Sequence, residues 1–388
     1  MPHVRIDEGP GDGDAIPPAE TSMTAFAGRA PLGPPNEPVV VLSLGDFERV
    51  FGGLSPACPM TGAVRAYFEN GGRTAVVLRL VNGAGVDGAW LDVADFEGDG
   101  RTTGLHALRR VGFNLLCIPP EGQDADTALA VWAAALRICT DCRAVLLIDA
   151  PIPRPGRQEA EVAAAISAVE SLRLALGAAP LHDAALYFPR VIRGAPGRQL
   201  EAPCGAVAGV IARTDVTRGV WKAPAGPAAT IAGVQGLAIA VTERDASRLA
   251  VLGVNCLRSF PGSGPVVWGA RTLGVADPGS QFKYLSVRRL ALFIETSVDR
   301  GTEWAEREPN AEPVWFQLRA SIATFMSGLH RAGAFAGATP AAAFFVKCGR
   351  DTTTGADIDA GVLNIEVGFA PLRPAEFVIV RIRRQLIP

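Results

Sequence analysis

Between Val39 and Phe188, short apolar runs alternate with helical patterns, and this alternation leaves few folds open to the chain. The apolar runs are Val39–Leu44, Thr74–Val81, Leu115–Ile118, Ala144–Ile148 and Ala184–Phe188. The helical patterns occupy 46–53, 60–70, 104–111, 126–140 and 158–176, with Asp46 as the expected N-cap of the first and Gly71-Gly72 as the stop of the second. Continuous apolar strands that alternate with helices are typical of a sheet covered on both faces. The sequence therefore predicts an α/β fold, with a mixed-sheet core and a mostly parallel sheet in the block 85–195.

Two later segments carry apolar residues at helical spacing. In Tyr284–Arg300 these are Val287, Leu290, Ile294 and Val298. In a helix that begins after Asn310, with Pro313 in its first turn, they are Trp315, Leu318, Ile322, Phe325 and Leu329. Strands are predicted to follow at Phe344–Lys347, Leu363–Val367 and Phe377–Ile382.

Both terminal segments are predicted to be extended. Val4, Arg5 and Ile6 form a short β-capable segment, and the Gly-, Pro- and Asp-rich stretch after it is too poor in apolar residues to pack alone. From Asp7 to Pro17 this tether could span up to about 35 Å. The last strand alternates, with Val378, Val380 and Ile382 on one face and Arg381 and Arg383 on the other.

Charge and hydropathy limit the partners and the compartment of the protein. The formal net charge is −2, whereas a surface that binds the phosphates of nucleic acid needs a basic excess. No run of about 18 apolar residues occurs and no apolar leader is found at the start, so we expect neither a membrane span nor a signal peptide. The seven cysteines suggest no disulfide framework. We expect a globular protein made in the cytoplasm.

The candidate metal motifs are all incomplete. Cys139 and Cys142 form a CxxC pair, but no second pair and no His lies at zinc-site spacing. Asp95, Glu97 and Asp99 resemble the opening of a calcium loop, but His106 stands where the closing Glu is required. Asp351, Asp357 and Asp359 flank a Thr-rich segment without a defined ligand pattern. We therefore expect no metal.

Catalytic and cofactor motifs are equally weak. The stretch Gly205–Gly209 lacks the Lys and Ser/Thr of a phosphate-binding loop, and the four histidines are scattered. An α/β enzyme would collect titrating groups at the carboxyl ends of parallel strands. The sequence offers only Pro119, Glu121, Asp149 and Pro189 there. We expect no cofactor, and an enzyme remains the weakest of the functional hypotheses.

Several short strings occur in an informative order. In the later half they are Ala202–Asp215, Arg218–Ala225, Gly253–Arg258, Val267–Leu273, Tyr284–Arg289, Glu308–Asn310 and Pro374–Phe377. Earlier ones are Thr21–Arg29, Ala66–Gly72 and Tyr187–Arg190. Together they resemble the contractile phage tail sheath family, although the opening Pro2–Glu8 has His3 where the family commonly has Gly.

This resemblance implies a structural subunit that polymerises helically around an inner tube and contracts to drive it through a target envelope. The particle would be a phage tail, a tailocin or an extracellular injection system. The implied partners are copies of the chain itself, the tube protein, and baseplate and terminator proteins. The implied domains are an N-terminal arm and linker (1–20), the first part of the core (21–84), an inserted outer α/β domain (85–195), the C-terminal domain (196–375) and a strand arm (376–388).

The resemblance further implies that terminal arms are woven into adjacent subunits. We assign to the arms Val4, Arg5, Ile6, Val378, Ile379, Val380, Arg381, Ile382 and Arg383. Charge supports their pairing, because the side chains of residues 1–14 sum to −3 and those of residues 377–388 sum to +3.

A helix of the C-terminal domain is also implied to touch the tube. The candidate is the helix that starts at Pro313, whose residues off the apolar stripe include Gln317, Arg319, His330 and Arg331. The rival is the helix at 284–300, with Arg288 and Arg289. A cap or terminator protein related to the sheath is the second functional hypothesis.

Overall fold

The chain folds into two units. The computed structural model describes residues 15–83, 89–122, 125–151, 158–177, 179–194, 199–277, 279–372 and 377–387. One unit comprises Glu20–Arg289, and the other joins the N-terminal residues up to Ala19 to Leu290–Pro388. The domain boundaries predicted at 84/85 and 195/196 both fall inside the larger unit, because strands from both sides of each boundary share one sheet.

The larger unit contains an eight-stranded sheet and a small three-stranded sheet. The strands are β1 (Thr24–Gly28), β2 (Val39–Val41), β3 (Ala75–Arg79), β4 (Leu115–Cys117), β5 (Val145–Asp149), β6 (Ala184–Phe188), β7 (Val191–Arg193), β8 (Gln199–Glu201), β9 (Gly236–Leu237), β10 (Val254–Phe260) and β11 (Gly264–Val267). The large sheet has the order β11-β10-β6-β5-β4-β1-β3-β2, and the small one β8-β7-β9. In the large sheet, β2–β3 and β10–β11 are antiparallel and the other pairs are parallel. The predicted mixed α/β fold is confirmed.

The helices of the larger unit follow local capping chemistry. They are α1 (Leu44–Phe51), α2 (Pro59–Glu69), α3 (Val93–Glu97), α4 (Leu129–Asp141), α5 (Gln158–Leu176), α6 (Cys204–Arg218) and α7 (Glu243–Val251). The N-cap of α1 is Ser43 and not Asp46, since the Ser43 hydroxyl accepts the Asp46 N–H at 3.0 Å. Helix α2 ends before Gly71, whose φ of 108° only glycine adopts readily, as predicted.

Both faces of the large sheet are covered. Alternate strand residues such as Ala25 and Val76 pack in one core cluster with residues of α4 and α5. Phe26 follows Ala25 in β1 and so points to the opposite face of the sheet. There it contacts α2, where the Tyr67 ring stands edge-on to the Phe26 ring with the centroids 5.5 Å apart. Two-sided burial explains why these strands read as unbroken apolar runs.

Helices α2 and α6 pack unusually close together. A Cβ atom at Gly205 would lie 2.1 Å from the carbonyl oxygen of Ala63, and one at Gly209 would lie 2.5 Å from that of Tyr67. The two glycines are one turn apart on α6 and allow direct contact between the helix backbones. The stretch Gly205–Gly209 is therefore a packing motif, which the sequence could not distinguish from a loop.

The smaller unit combines helices with an antiparallel sheet of order β12-β13-β14. Its elements are α8 (Leu285–Gly301, which begins in the larger unit), α9 (Glu312–Arg331), α10 (Pro340–Ala343), α11 (Gly355–Asp359), β12 (Phe344–Cys348), β13 (Val362–Phe369) and β14 (Val378–Gln385). The predicted stripes of α8 and α9 are buried, apart from a half-buried Phe325. None of the described helices combines the length and apolar character needed to cross a membrane.

Candidate functional site

The C-terminal strand lies in the chain's own sheet. β14 pairs with β13 along its whole length, from Val378 opposite Phe369 to Gln385 opposite Val362. The predicted alternation is observed, because the residues on the apolar face (Val378, Val380, Ile382) are buried, Arg381 and Arg383 are exposed, and Ile379 is half-buried. The family resemblance implies that this strand is transferred to a neighbouring subunit. In this single chain, β14 is the edge strand of a sheet whose other strands, β12 and β13, belong to the same chain. The transfer of β14 to another subunit is therefore a proposal.

Arg384 lies on the buried face of this strand, in line with Val378, Val380 and Ile382. The residue is 6% exposed. Its guanidinium donates to the main-chain oxygen of Asp299, to the Asp299 carboxylate at 3.0 Å and to the Thr302 hydroxyl at 3.0 Å. It also donates to Glu306 at 2.6 Å. These groups lie at the end of α8 and just after it, and they hold the strand to that helix.

The basic charge of the tail is matched within the chain. Arg381 pairs with Glu366 at 2.9 Å across the β13–β14 ladder. The Thr354 hydroxyl and, more weakly, Arg383 hold the pKa of Asp357 below its ordinary value. The balance of +3 at residues 377–388 is thus opposed by acids of the same chain, which weakens the predicted charge pairing with the N-terminal arm.

The N-terminal arm residues Val4, Arg5 and Ile6 lie outside the described residues. Ala15, Pro17 and Pro18 are exposed, but Ile16 is buried against α8 next to Gly301. The Ala19 N–H donates to the Ser297 hydroxyl at 2.9 Å. The predicted linker of residues 1–20 is therefore too long at its C-terminal end, because residues 16–19 are anchored.

Two of the four predicted tube-contact residues on α9 form contacts within the smaller unit. Arg319 pairs with Glu312 at 2.6 Å and donates to the main-chain oxygen of Cys348. The His330 ring nitrogen Nε2 lies 3.1 Å from the main-chain oxygen of Gly337. Gln317 is half-buried, and Arg331 is exposed.

A neutral stripe of α9 faces outward instead. Phe316 is 67% exposed, and Ala320 and Thr324 follow at helical spacing and are exposed as well. An exposed helix face without charge in its middle is unusual for a solvated surface. The sequence pattern did not reveal it, because small neutral residues match a buried or an exposed face equally well.

The two arginines of the rival tube-contact helix are held in ion pairs of the larger unit. Arg288 pairs with the buried Asp183. Arg289 forms a two-pronged pair with Asp215 at 2.8 and 2.5 Å, and both side chains are 3% exposed. These arginines stabilise the larger unit from inside and are not available on its surface.

The carboxyl edge of the parallel strands contains an ion pair and one buried carboxyl group. Glu121 pairs with Arg29, while burial raises the pKa of Glu121. Asp149 accepts the Cys204 N–H at 2.8 Å, and burial raises its pKa to about 6. A cavity of about 130 Å³ opens nearby between the loop after β4 and the β7–β8 hairpin. The Cys204 thiol also hydrogen-bonds Asp149, and burial raises the pKa of this thiol well above its ordinary value, which disfavours a reactive thiolate at this edge.

The candidate metal ligands serve local structure. Asp92 and Asp95 cap α3 reciprocally. Hydrogen bonds from Thr102 and from the main chain of the same turn hold the pKa of Asp99 below its ordinary value. Burial raises the pKa of Cys142 to about 11, which disfavours its thiolate. Across the described ranges, no cluster of three His, Cys, Asp or Glu residues is arranged to hold a metal.

The sequence segments on which the family resemblance rests form hydrogen bonds to distant parts of the chain. In Ala66–Gly72, the Asn70 amide accepts the Ala232 N–H at 2.8 Å and donates to the Ala66 oxygen. In Gly253–Arg258, the buried Asn255 accepts the Arg271 N–H at 2.6 Å and donates to the Arg271 oxygen at 2.8 Å. Arg271 belongs to the string Val267–Leu273, so these motifs fix distant segments to one another.

Sequence and structure comparisons agree on a class of proteins. Residues 95–273 match the phage tail sheath protein central domain, and residues 277–385 match the phage tail sheath C-terminal domain. Both describe structural proteins of phage tails. The chain belongs to the phage tail sheath family.

Particular relatives extend the similarity. The tail sheath protein of Vibrio phage KVP40 is 25% identical over 175 residues, which cover 45% of this chain and 25% of the phage protein. The chain thus matches only about a quarter of that relative's length. A chain of the anti-feeding prophage baseplate is 27% identical with a TM-score of 0.72, and the match covers 100% of this chain and 99% of that one. The PVC sheath complex of an extracellular contractile injection system, in its contracted state, is 26% identical with a TM-score of 0.72, and covers 98% and 97% of the two chains.

Proposed function

We propose that this chain is the structural subunit of a contractile sheath, which polymerises helically around an inner tube and contracts to drive the tube through a target envelope. The observation that carries the proposal is the end-to-end match with a chain of a contracted sheath complex. That match covers 98% of this chain. Synthesis in the cytoplasm would precede assembly into the particle.

The C-terminal strand is the proposed link between subunits. β14 lies at the edge of its sheet and is bound mainly by main-chain hydrogen bonds along β13. A neighbour's copy of the same strand can make the same bonds, so an exchange between identical subunits loses no contacts in the docking site. Val4, Arg5 and Ile6 would add as a second strand from another copy. Flexible links of this kind keep subunits joined while their packing changes.

The neutral stripe of α9 is the proposed contact with the tube. Phe316, Ala320 and Thr324 present an uncharged surface, and Arg331 lies exposed at the end of the same helix. Burying such a face against a partner costs little desolvation of charge. Gln317, Arg319 and His330 would then support the helix from within the subunit. Baseplate and terminator proteins are the remaining proposed partners.

Electron microscopy of the purified protein tests the proposal. The full-length chain should form hollow striated cylinders, alone or with its tube as template. A chain that lacks residues 1–14 keeps the packed Ile16 and Ala19, so it should stay folded but form fewer or shorter cylinders. Discs that never elongate would favour the cap-protein hypothesis, and small particles in the presence of the tube would refute a sheath.

A further inference from the structure

We propose that Arg384 sets the register in which the C-terminal strand docks, and that the partner it recognises is a second copy of this chain. Its role in assembly rests on the proposed exchange of β14 between subunits. The register itself is a property of the docking site and can be tested separately from the exchange.

The apolar face of β14 does not define a register by itself. Val378, Val380 and Ile382 are similar in shape, and they lie opposite Phe369, Val367 and Ile365. A shift by one residue would expose this face and is excluded. A shift by two residues would only replace one β-branched residue by another along most of the strand.

The exposed face does not prevent a shift by two residues either. Glu366 lies opposite Arg381, and the two side chains form an ion pair. In one of the two possible shifts Arg383 would come to lie opposite Glu366, so a basic partner would be restored. Exposed pairs of this kind also contribute little.

Arg384 is the feature of the strand that cannot be shifted. It lies opposite the fully buried Leu363 and meets four acceptors on Asp299, Thr302 and Glu306. These acceptors are built by α8 and the turn after it, so they stay in place when the strand leaves. Only a guanidinium at this one position satisfies them together.

A shifted strand would place charge and apolar groups in the wrong sites. With Arg383 opposite Glu366, the guanidinium of Arg384 would lie beside the fully buried Ile365, and Leu386 would face the acceptors. A buried charge without its partner is strongly unfavourable, and a buried polar residue that fixes register is the best-attested role of such groups. Three further bonds favour the same register but involve only the main chain, and they run from the Leu386 N–H to Gly361, from the Ile387 N–H to Glu308 and from the Asn310 N–H to Ile387.

Cysteine pairs across the ladder measure the register. Facing residues of an antiparallel pair are within disulfide reach. Glu366→Cys with Arg381→Cys reports the observed register, and Glu366→Cys with Ile379→Cys or with Arg383→Cys reports a shift by two residues in either direction. Glu366→Cys alone is the control for cross-links to the native cysteines. In the parent chain we expect only the first pair to cross-link.

Two variants then test the role of the arginine. Arg384→Met removes the charge at similar size and should raise the shifted cross-links at least about tenfold. Ile382→Arg/Arg384→Ile keeps the composition but moves the arginine by two residues, so the cross-link should move from Arg381→Cys to Ile379→Cys. Unchanged cross-linking at Arg381→Cys in the second variant would overturn the proposal, even if the first variant failed to fold.

The size of the cross-linked product separates the register from the exchange. In assembled cylinders we expect the cross-link to join two chains, which supports recognition of a second copy. Cross-links confined to single chains would overturn the exchange and the identity of the partner. A cross-link between chains whose register ignores the position of the arginine would keep the exchange and overturn the role of Arg384.

Discussion

Replacement of Gly205 by Ala should force helices α2 and α6 apart. The added methyl would lie 2.1 Å from the carbonyl oxygen of Ala63 and 2.7 Å from the Ala63 Cα. An ordinary carbon–oxygen contact is about 3.3 Å. Both clashing atoms belong to the backbone, so no side-chain rotation can relieve the contact and the helices must separate by about 1 Å.

The expected loss of stability follows from two opposing terms. Overpacking of a core costs about 1–3 kcal/mol, and the rigid backbone places this site at the upper end. Replacing a helical Gly by Ala stabilises the helix by about 1 kcal/mol. The net destabilisation is therefore about 2 kcal/mol, which for a unit of this size lowers Tm by about 4–8 °C.

Thermal unfolding followed by circular dichroism or calorimetry measures this change, and Gly62 provides the matched control. Gly62 lies on α2 in the same unit, and a Cβ there would meet only the Glu201 carboxylate at 3.7 Å. Gly62→Ala should stabilise the unit by about 0.4–1 kcal/mol. A Gly205→Ala variant with a Tm equal to or above that of the parent would show that the helices are not in backbone contact.

Three further predictions concern other parts of the fold. Asp215→Ala leaves the buried guanidinium of Arg289 without its carboxylate, so the free energy of unfolding in urea should fall by about 3–5 kcal/mol, and a fall below about 1 kcal/mol would contradict the pair. Burial raises the pKa of Asp149 to about 6 from 3.8, so the folded state binds its proton more tightly and stability should decline as pH rises between these values. Asp149→Asn keeps the acceptor for the Cys204 N–H and should remove that decline, with a gain of up to about 3 kcal/mol at pH 7 that unfolding curves at several pH values would reveal. Phe316→Ser should leave Tm unchanged but weaken co-sedimentation with the tube protein, and undiminished co-sedimentation would rule out this contact.

Local periodicity predicted part of the fold, but it missed β1, α3, α6, α7 and the strands β7–β11. The stripes of α8 and α9 and the strands β12–β14 came from side-chain spacing, which depends only on neighbours in sequence. Strand order was not predicted, because it depends on contacts between distant segments. β1 lies between β3 and β4, so the block boundary expected at 84/85 passes through a continuous sheet.

The candidate site shows the same division. The alternation of β14 was read correctly from Val378 to Arg383, since period two is a local property. The same alternation places Arg384 on the apolar face, but the sequence does not reveal its acceptors, which are about 80 residues earlier in the chain. Arg319 was expected on a wet face, and only the structure shows that it is tied to Glu312 and Cys348.

The packing of Ile16 against Gly301 of α8 determines when the smaller unit can be completed during translation. Ile16 emerges from the ribosome roughly 280 residues before Gly301, the residue it packs against. At typical synthesis rates of about 5–20 residues per second, this segment waits for roughly 15–60 s without its binding site. The larger unit lies entirely between these two points of the chain and can fold in that interval. The nascent chain can therefore finish the larger unit before it forms the smaller one, and under the proposed exchange β14 would be the last element to become available for polymerisation.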